Sequence, residues 1–452
     1  MRFPAVRQTW VTAKALLELR RNERLSRTQL EARKLPKFRR LVAHAARHSP
    51  YYAQLIQANG IAIEHCMPEQ FPVLTKTILM ANFDRIVTDR RVSKSAIESF
   101  LTNSSDPNDR LLGEYQVIHT SGSSGEVGYF VYSLDDWAHA MAQFLRTNAS
   151  SRLFRKTKVA DFFACGGHYA GVSMAKHWIR GHGKFFLDLL LLEINSPVNE
   201  VIDRLNAQQP HVLGGYNTAL KLLAAKQREG TLHIAPESVV TGGEPASPAD
   251  LADFKTAFGG AVFNNYGSSE HLLMGVLGPQ DLAMTLFDDD LIYEPFEDHT
   301  LVTNLFNFTL PLIRYRMSDV LRPLSGDSSR SPYMRIEGLV GRSETVPMFA
   351  NEDGVMDFIS PFTIIEIFVA GVQRFQMHLL GPASFRFAVC LDPMLTPTQR
   401  AESIAGIEQR LRAILEQKRM RNVTSTIDVV DDLPLDPKSR KFRLIVDDTG
   451  HA

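Results

Sequence analysis

The chain has 452 residues, 50 of them Lys or Arg and 50 Asp or Glu, and 44% are hydrophobic. At roughly 100 to 200 residues per domain this length predicts two or three domains, and the even charge removes the electrostatic reason to expect a nucleic acid or an anionic membrane as main partner. Cys66, Cys165 and Cys390 are scattered without a CxxC pair, so a disulfide framework and a structural zinc site are not expected and a reducing, cytoplasmic setting is.

The first residues lack the apolar core of a secretory signal. The most apolar run, 185–192, is interrupted by Asp188 and falls short of the roughly 20 residues that cross a bilayer. Residues 8–60 place Leu30, Leu35, Phe38, Leu41, Val42 and Ala45 at helical spacing, which predicts an amphipathic helical opening within about 1–70. From about 112 to 320, short apolar runs at 158–164, 212–215, 238–241 and 261–264 alternate with helical stretches. One of these spans 219–229, and another opens on the capping sequence Ser247, Pro248, Ala249, Asp250. Such alternation predicts an α/β domain. Residues 373–380 and 384–391 alternate apolar and polar positions around Gly381, Pro382 and Ala383, a hairpin signal. A helical stripe follows (Ile404, Ile407, Leu411, Ile414), then a strand-like 423–430, so the tail reads as a separate β-β-α-β unit hinged near 341–344.

Six segments carry residues suited to chemistry. In IHTSGSSGEVG, 118–128, glycines let the backbone approach an anion while N–H groups and the hydroxyls of Thr120, Ser121, Ser123 and Ser124 can cradle its oxygens. It is not a Walker loop, because GxxxxGK[ST] is absent. VVTGGEP, 239–245, and VFNNYGSSE, 262–270, each run a strand into a glycine turn; at strand ends facing one crevice they can offer Tyr266 to a base and Glu270 to a metal. PLIRYRMSD, 311–319, ends in Asp319, an acceptor for a ribose diol. GLVGRSE, 338–344, and LPLDPKSRKFR, 433–443, complete the set, and each segment taken alone is weak.

In order and spacing the six together resemble the adenylate-forming enzymes, most closely the phenylacetate-CoA ligase branch with its deazaflavin coenzyme synthetase relatives. The family patterns TSGTTG, YGxTE, YRTGD, GRxDD and SGK stand here as TSGSSG, YGSSE, YRMSD, GRSET and SRK, over about residues 70–445. The resemblance implies an α/β fold with a large multi-sheet N-terminal adenylation domain, residues 1–341, and a smaller mobile α+β domain, 342–452. It implies that Thr120, Ser121, Gly122, Ser123, Ser124 and Gly125 hold ATP phosphates. Gly242, Gly243, Glu244 and Pro245 with Asn265 and Tyr266 would frame adenine, with Gly267 and Ser268 in the same loop. Ser269 would contact phosphate, Glu270 would bind Mg2+, Asp319 with Arg342 would hold the ribose, and Lys441 would be the catalytic lysine, Lys438 its fallback. His168, Tyr169, Gly215 and Tyr216 would border the acid pocket.

The expected activity is ATP-dependent adenylation of a small-molecule carboxylic acid, aromatic in this branch. Acyl transfer then follows to CoA, to the phosphopantetheine thiol of a carrier protein, or to an amine. The alternatives are an adenylyltransferase leaving AMP on a phenolic hydroxyl and an inactive nucleotide-binding homologue. Neither a nucleic-acid partner nor a membrane span is expected.

Overall fold

The computed structural model describes residues 4–120, 127–148, 156–180, 186–324, 331–337, 345–365, 367, 369–434 and 442–449. The chain opens with helices α1 (Pro4–Asn22), α2 (Arg27–His48) and α3 (Pro50–Ala58), then α4 (Lys76–Ala81), α5 (Phe83–Ile86) and α6 (Lys94–Asn103). Ser26 starts α2 through a capping box: its side chain accepts from Gln29 N while the Gln29 side chain returns to Ser26 N. The buried stripe of α2 is Leu30, Lys34, Phe38, Leu41, Val42 and Ala45. It departs from the apolar pattern at one place, where Lys34 is buried and Leu35 keeps some exposure, because Lys34 Nζ reaches Asp288 at 2.7 Å.

Strands β1 (Tyr115–His119) and β2 (Tyr129–Ser133) pair antiparallel, and α7 (Leu134–Asn148) follows. Then come β3 (Thr157–Phe163), α8 (Ala170–Arg180), β4 (Leu187–Glu193), α9 (Val198–Gln208), β5 (Val212–Gly215), α10 (Asn217–Arg228), β6 (Ser238–Gly242), α11 (Pro248–Phe258) and β7 (Ala261–Ser268). With β8 (Leu272–Leu277) and β9 (Met284–Leu286), and with β13 (Arg335–Ile336) further along the chain, these strands form an eight-stranded sheet of order β13-β9-β8-β7-β6-β5-β3-β4. The β4, β3, β5, β6, β7 part is parallel, so each crossover lays a helix on the sheet. One face packs Ala160, Phe162, Leu213, Val239 and Val262 against Val201, Leu205, Leu220, Leu223 and Phe254. Strands β10 (Leu291–Pro295), β11 (Thr300–Asn304) and β12 (Tyr315–Met317) make a three-stranded sheet.

The C-terminal part holds a hairpin, β14 (Met348–Ala350) with β15 (Met356–Phe358), then α12 (Pro361–Ile365). A four-stranded sheet of order β18-β17-β16-β19 follows, built from β16 (Val372–Gly381), β17 (Ser384–Leu391), β18 (Thr424–Val429) and β19 (Ile445–Asp447). Helix α13 (Pro397–Gln417) buries Ile407, Leu411 and Leu415 against Met377, Phe385, Phe387 and Val389 of this sheet, forming a core of its own. The β14–β15 hairpin joins it to the rest: Phe349 lies in this smaller core, whereas Phe358 lies in that of the parallel sheet. Between them the fully buried Asp357 accepts from Lys418 Nζ at 3.1 Å and from Val198 N at 2.9 Å, and Lys418 also reaches Ser196 O. Among the described residues no helix is long and apolar enough to cross a membrane.

Candidate active site

Parallel pairing of β6 with β7 sets Gly242 beside Asn265, so the loops leaving both strands share one end of the sheet. After β6 the chain turns through Gly243, whose φ of +78° favours glycine, and a Cβ there would lie 3.1 Å from the Tyr216 ring. Gly243 is exposed and Gly242 half-buried at this end of the sheet. Glu244 turns away: its buried carboxylate accepts from Thr218 N at 2.7 Å and Thr218 Oγ1 at 2.9 Å, closing the start of α10. Pro245 O accepts from Asn217 Nδ2 at 3.0 Å, a second tie to the same helix.

The run 262–270 departs from the expected strand and glycine turn. β7 continues through Gly267 to Ser268 and folds back at once into the antiparallel β8, with Ser269, Glu270 and His271 at the bend. The bend is fixed by His271 N donating to Ser268 Oγ at 3.2 Å and by the Tyr132 hydroxyl donating to Ser269 O and Glu270 O at 3.1 and 2.9 Å. Burial drives the His271 pKa down to about 3, so its ring packs as a neutral group against Tyr315.

Glu270 therefore sits at a braced bend. Its Oε1 accepts from the Tyr315 hydroxyl at 3.4 Å. Burial pushes this carboxyl above its ordinary value, while Ser268, Lys76 and Tyr315 oppose the rise. The sequence reading missed Lys76. Leu74 N donates to Arg314 O and Arg316 N to Leu74 O, a bridge that seats the start of α4 beside β12. From there Lys76 Nζ donates to Thr120 Oγ1 at 3.1 Å.

Thr120 closes the base of the hydroxyl- and glycine-rich loop. Its N donates to Gly128 O at 2.9 Å, and its Oγ1 accepts from Gly128 N at 2.8 Å. With two donors on its oxygen, the hydroxyl still has its own hydrogen to offer a ligand. Asp319 lies just past β12, where the Tyr266 hydroxyl donates to its Oδ2 at 3.0 Å. Burial raises the pKa of Asp319, and the Tyr266 bond only partly offsets it. Thr120, Glu270, Tyr266 and Asp319 thus belong to one connected group, with Lys76, Tyr132 and Tyr315 bracing them.

The four residues expected to border the acid pocket lie between β3 and α8 and at the end of β5. His168 is buried against Phe100 at 4.9 Å, its Nε2 3.3 Å from Ser104 Oγ, and its backbone carbonyl accepts from His119 N, while the Tyr169 and His119 ring centroids are 4.5 Å apart. Gly215 ends β5 and Tyr216 follows as the N-cap of α10, its ring 6.4 Å from that of Phe163. Ser121, Gly122, Ser123, Ser124, Gly125, Arg342, Lys438 and Lys441 lie outside the described residues.

Among the described residues no group of three or more His, Cys, Asp or Glu could enclose a metal. Glu270 fits a different type of site, since magnesium is commonly held by one or two carboxylates with substrate phosphates supplying other ligands. Its contacts with the Tyr315 and Ser268 hydroxyls leave lone pairs for that purpose.

No protein-family model and no curated protein matches the chain. Solved structures do. A 2-hydroxyisobutyryl-CoA ligase in complex with 2-HIB-AMP and CoA, in the thioesterification state, aligns with a TM-score of 0.61 at 17% identity, over 95% of this chain and 91% of that one. The same ligase in the postadenylation state with 2-HIB-AMP gives 0.58 at 17% identity and the same coverage. The chain therefore has the fold of these CoA ligases, a large multi-sheet α/β region followed by a smaller α+β region.

Proposed function

We propose that the chain is an ATP-dependent ligase that joins a carboxylic acid to AMP, releases pyrophosphate, and passes the acyl group to a thiol or an amine. The observation that carries this reading is the meeting of Thr120, Glu270 and the Tyr266–Asp319 pair, which follow or end β1, β7 and β12, one strand from each of three sheets. Strand ends of an open α/β sheet are where ligands bind, and this constellation offers donors for phosphate at one side and an acceptor for ribose at the other. The resemblance of the six sequence segments supplies the finer reading: an aromatic acid as substrate, and CoA or a carrier-protein phosphopantetheine as thiol.

In the first step a carboxylate oxygen of the acid attacks the α-phosphorus as the bond to pyrophosphate breaks. In the second, a thiol or amine attacks the acyl carbon, loses its proton, and AMP departs. Neither step needs a protein nucleophile, so the residues act by position and charge. Thr120, Ser121, Gly122, Ser123, Ser124 and Gly125 would hold the phosphates, with Lys76 fixing the Thr120 hydroxyl and adding a positive charge. Asp319, oriented by Tyr266 and helped by Arg342, would accept from the ribose hydroxyls. Gly242, Gly243, Asn265 and Tyr266 would frame adenine, with Glu244 and Pro245 holding that turn to α10, and Lys441 would bring positive charge to the α-phosphate and the acid. Magnesium held by Glu270 and the phosphates would neutralise charge on the departing pyrophosphate.

Pyrophosphate exchange into ATP across a panel of aromatic, aliphatic and amino acids tests this. Acid-dependent exchange is expected. ATP binding with no exchange favours a catalytically inactive nucleotide-binding protein, and AMP retained on a phenolic hydroxyl favours the adenylyltransferase.

A further inference from the structure

The parallel sheet has two unlike faces. One is sealed by α9, α10 and α11, whereas on the other Leu191, Asp161, Val240 and Phe263 lie in a row that crosses five strands, each keeping part of its surface accessible. Gly214 belongs to the same row, between Asp161 and Val240. The next row towards the carboxyl end holds Glu193, Phe163, Gly242 and Asn265, so the half-covered face runs directly up to the candidate nucleotide loops. At a strand rise of about 3.3 Å per residue and about 4.8 Å between strands, Asp161 sits roughly 12 Å from Gly242 along this face.

Asp161 is out of keeping with its row. A carboxyl in the middle of an apolar sheet is costly unless it is paired, yet among the described residues no hydrogen bond or ion pair engages it. Its place is provided by Gly214, where an added Cβ would come within 2.0 Å of Asp161 Oδ1. The carboxyl therefore lies over a glycine in the space a side chain would fill. Burial alone lifts its pKa to about 7.

We propose that Asp161 is a specificity residue: it receives a hydroxyl or amino group carried by the acid several bonds from its carboxylate, while Phe163, Leu191, Val240 and Phe263 pack the apolar middle. This rests on the ligase reading and names its substrate class, an acid with a polar, hydrogen-donating far end. A ligand that covers this half-buried acceptor without offering it a donor leaves it buried and unmatched, so the site would discriminate against such a ligand.

The test is ATP–pyrophosphate exchange with matched acids: para-hydroxybenzoate and para-aminobenzoate against para-methylbenzoate, and ω-hydroxyhexanoate against heptanoate. At least one donor-bearing acid should exceed its methyl counterpart by tenfold or more in kcat/KM. Asp161→Leu should level or reverse that ratio while leaving KM for ATP unchanged. Gly214→Ala, which crowds the carboxyl, should shift the ratio in the same direction should the leucine variant fail to fold. Methyl counterparts that match or exceed their partners in the unmodified protein, or a ratio unmoved in a folded variant, would overturn the proposal and leave the ligase reading standing. Exchange with no acid at all, in this set or in the broad panel, overturns both.

Discussion

Glu270 and Asp319 at the crevice, and Asp288, Asp289 and Asp290 between β9 and β10, are all carboxylates withdrawn from bulk water, but the chain provides for them in opposite ways. The aspartate triplet is surrounded by cations from α2 and α7. Asp288 meets Lys34 at 2.7 Å and also Arg27; Asp289 meets Arg146 at 2.8 Å; Asp290 meets Lys37 at 2.8 Å and His139 at 2.6 Å. Burial pushes Asp290 up, yet Lys37 and His139 outweigh it and hold it well below the ordinary carboxylate range. At the crevice, Asp319 has the Tyr266 hydroxyl, and Glu270 has hydroxyl contacts and only the more distant help of Lys76, so burial wins and both rise. The difference separates scaffold from site: acids saturated by the fold tie helices to sheets, while acids short of counter-charge are fitted to receive it from a ligand.

The comparison breaks most visibly if a scaffold pair proves dispensable. Arg146→Met would leave Asp289 buried without its cation, and breaking one side of such a pair costs about 3–5 kcal/mol. Denaturant unfolding should show that loss with KM for ATP unchanged in the folded fraction. Next in size, Glu270→Gln should lower the exchange rate by about 10²- to 10³-fold, the range for deleting one group that stabilises transition-state charge. Its thermal midpoint should hold or rise, since an underpaired buried acid has been removed.

Smaller effects sharpen the contrast. Tyr266→Phe removes the donor that orients Asp319, and a hydrogen bond to a charged group is worth about 1.5–3 kcal/mol, so ATP should bind at least tenfold more weakly by titration calorimetry. If Glu270 and Asp319 act ionised, their raised pKa values place the acidic fall of kcat/KM for ATP above the ordinary range of 3.8 to 4.5, and in Glu270→Gln the remaining activity should lose part of that fall. The least effect belongs to His139. Burial lowers its pKa, but Asp290 raises it further, so the folded value exceeds 6.5. Its stabilisation is then complete below pH 6.5 and is lost as pH rises through the higher folded value, and His139→Gln should remove that slope from the thermal midpoint.

Much of the architecture was legible because period and spacing are local properties. The stripe Leu30, Phe38, Leu41, Val42, Ala45 is the buried face of α2, and the alternating pairs around Gly381 are β16 and β17. What escaped was set by distant partners. Lys76 looks like any surface lysine until the Leu74–Tyr315 bridge carries it to Thr120. Asp161 sits inside an apolar run, and only the parallel register with β5 reveals that its neighbour is a glycine. Lys34 reads as a polar break in an apolar stripe, and its partner lies 254 positions away. The signals that could have found these residues are the charge in the stripe, the charge in the strand, and the Thr75–Lys76 pair at a helix start.

A crystal structure of the protein with ATP and magnesium tests the central claim most directly. The account predicts one nucleotide in the crevice, its phosphates against Thr120 and Glu270 and its ribose hydroxyls on Asp319 beside Tyr266. A nucleotide bound elsewhere, or one that meets Thr120 and leaves Asp319 facing solvent, would contradict it.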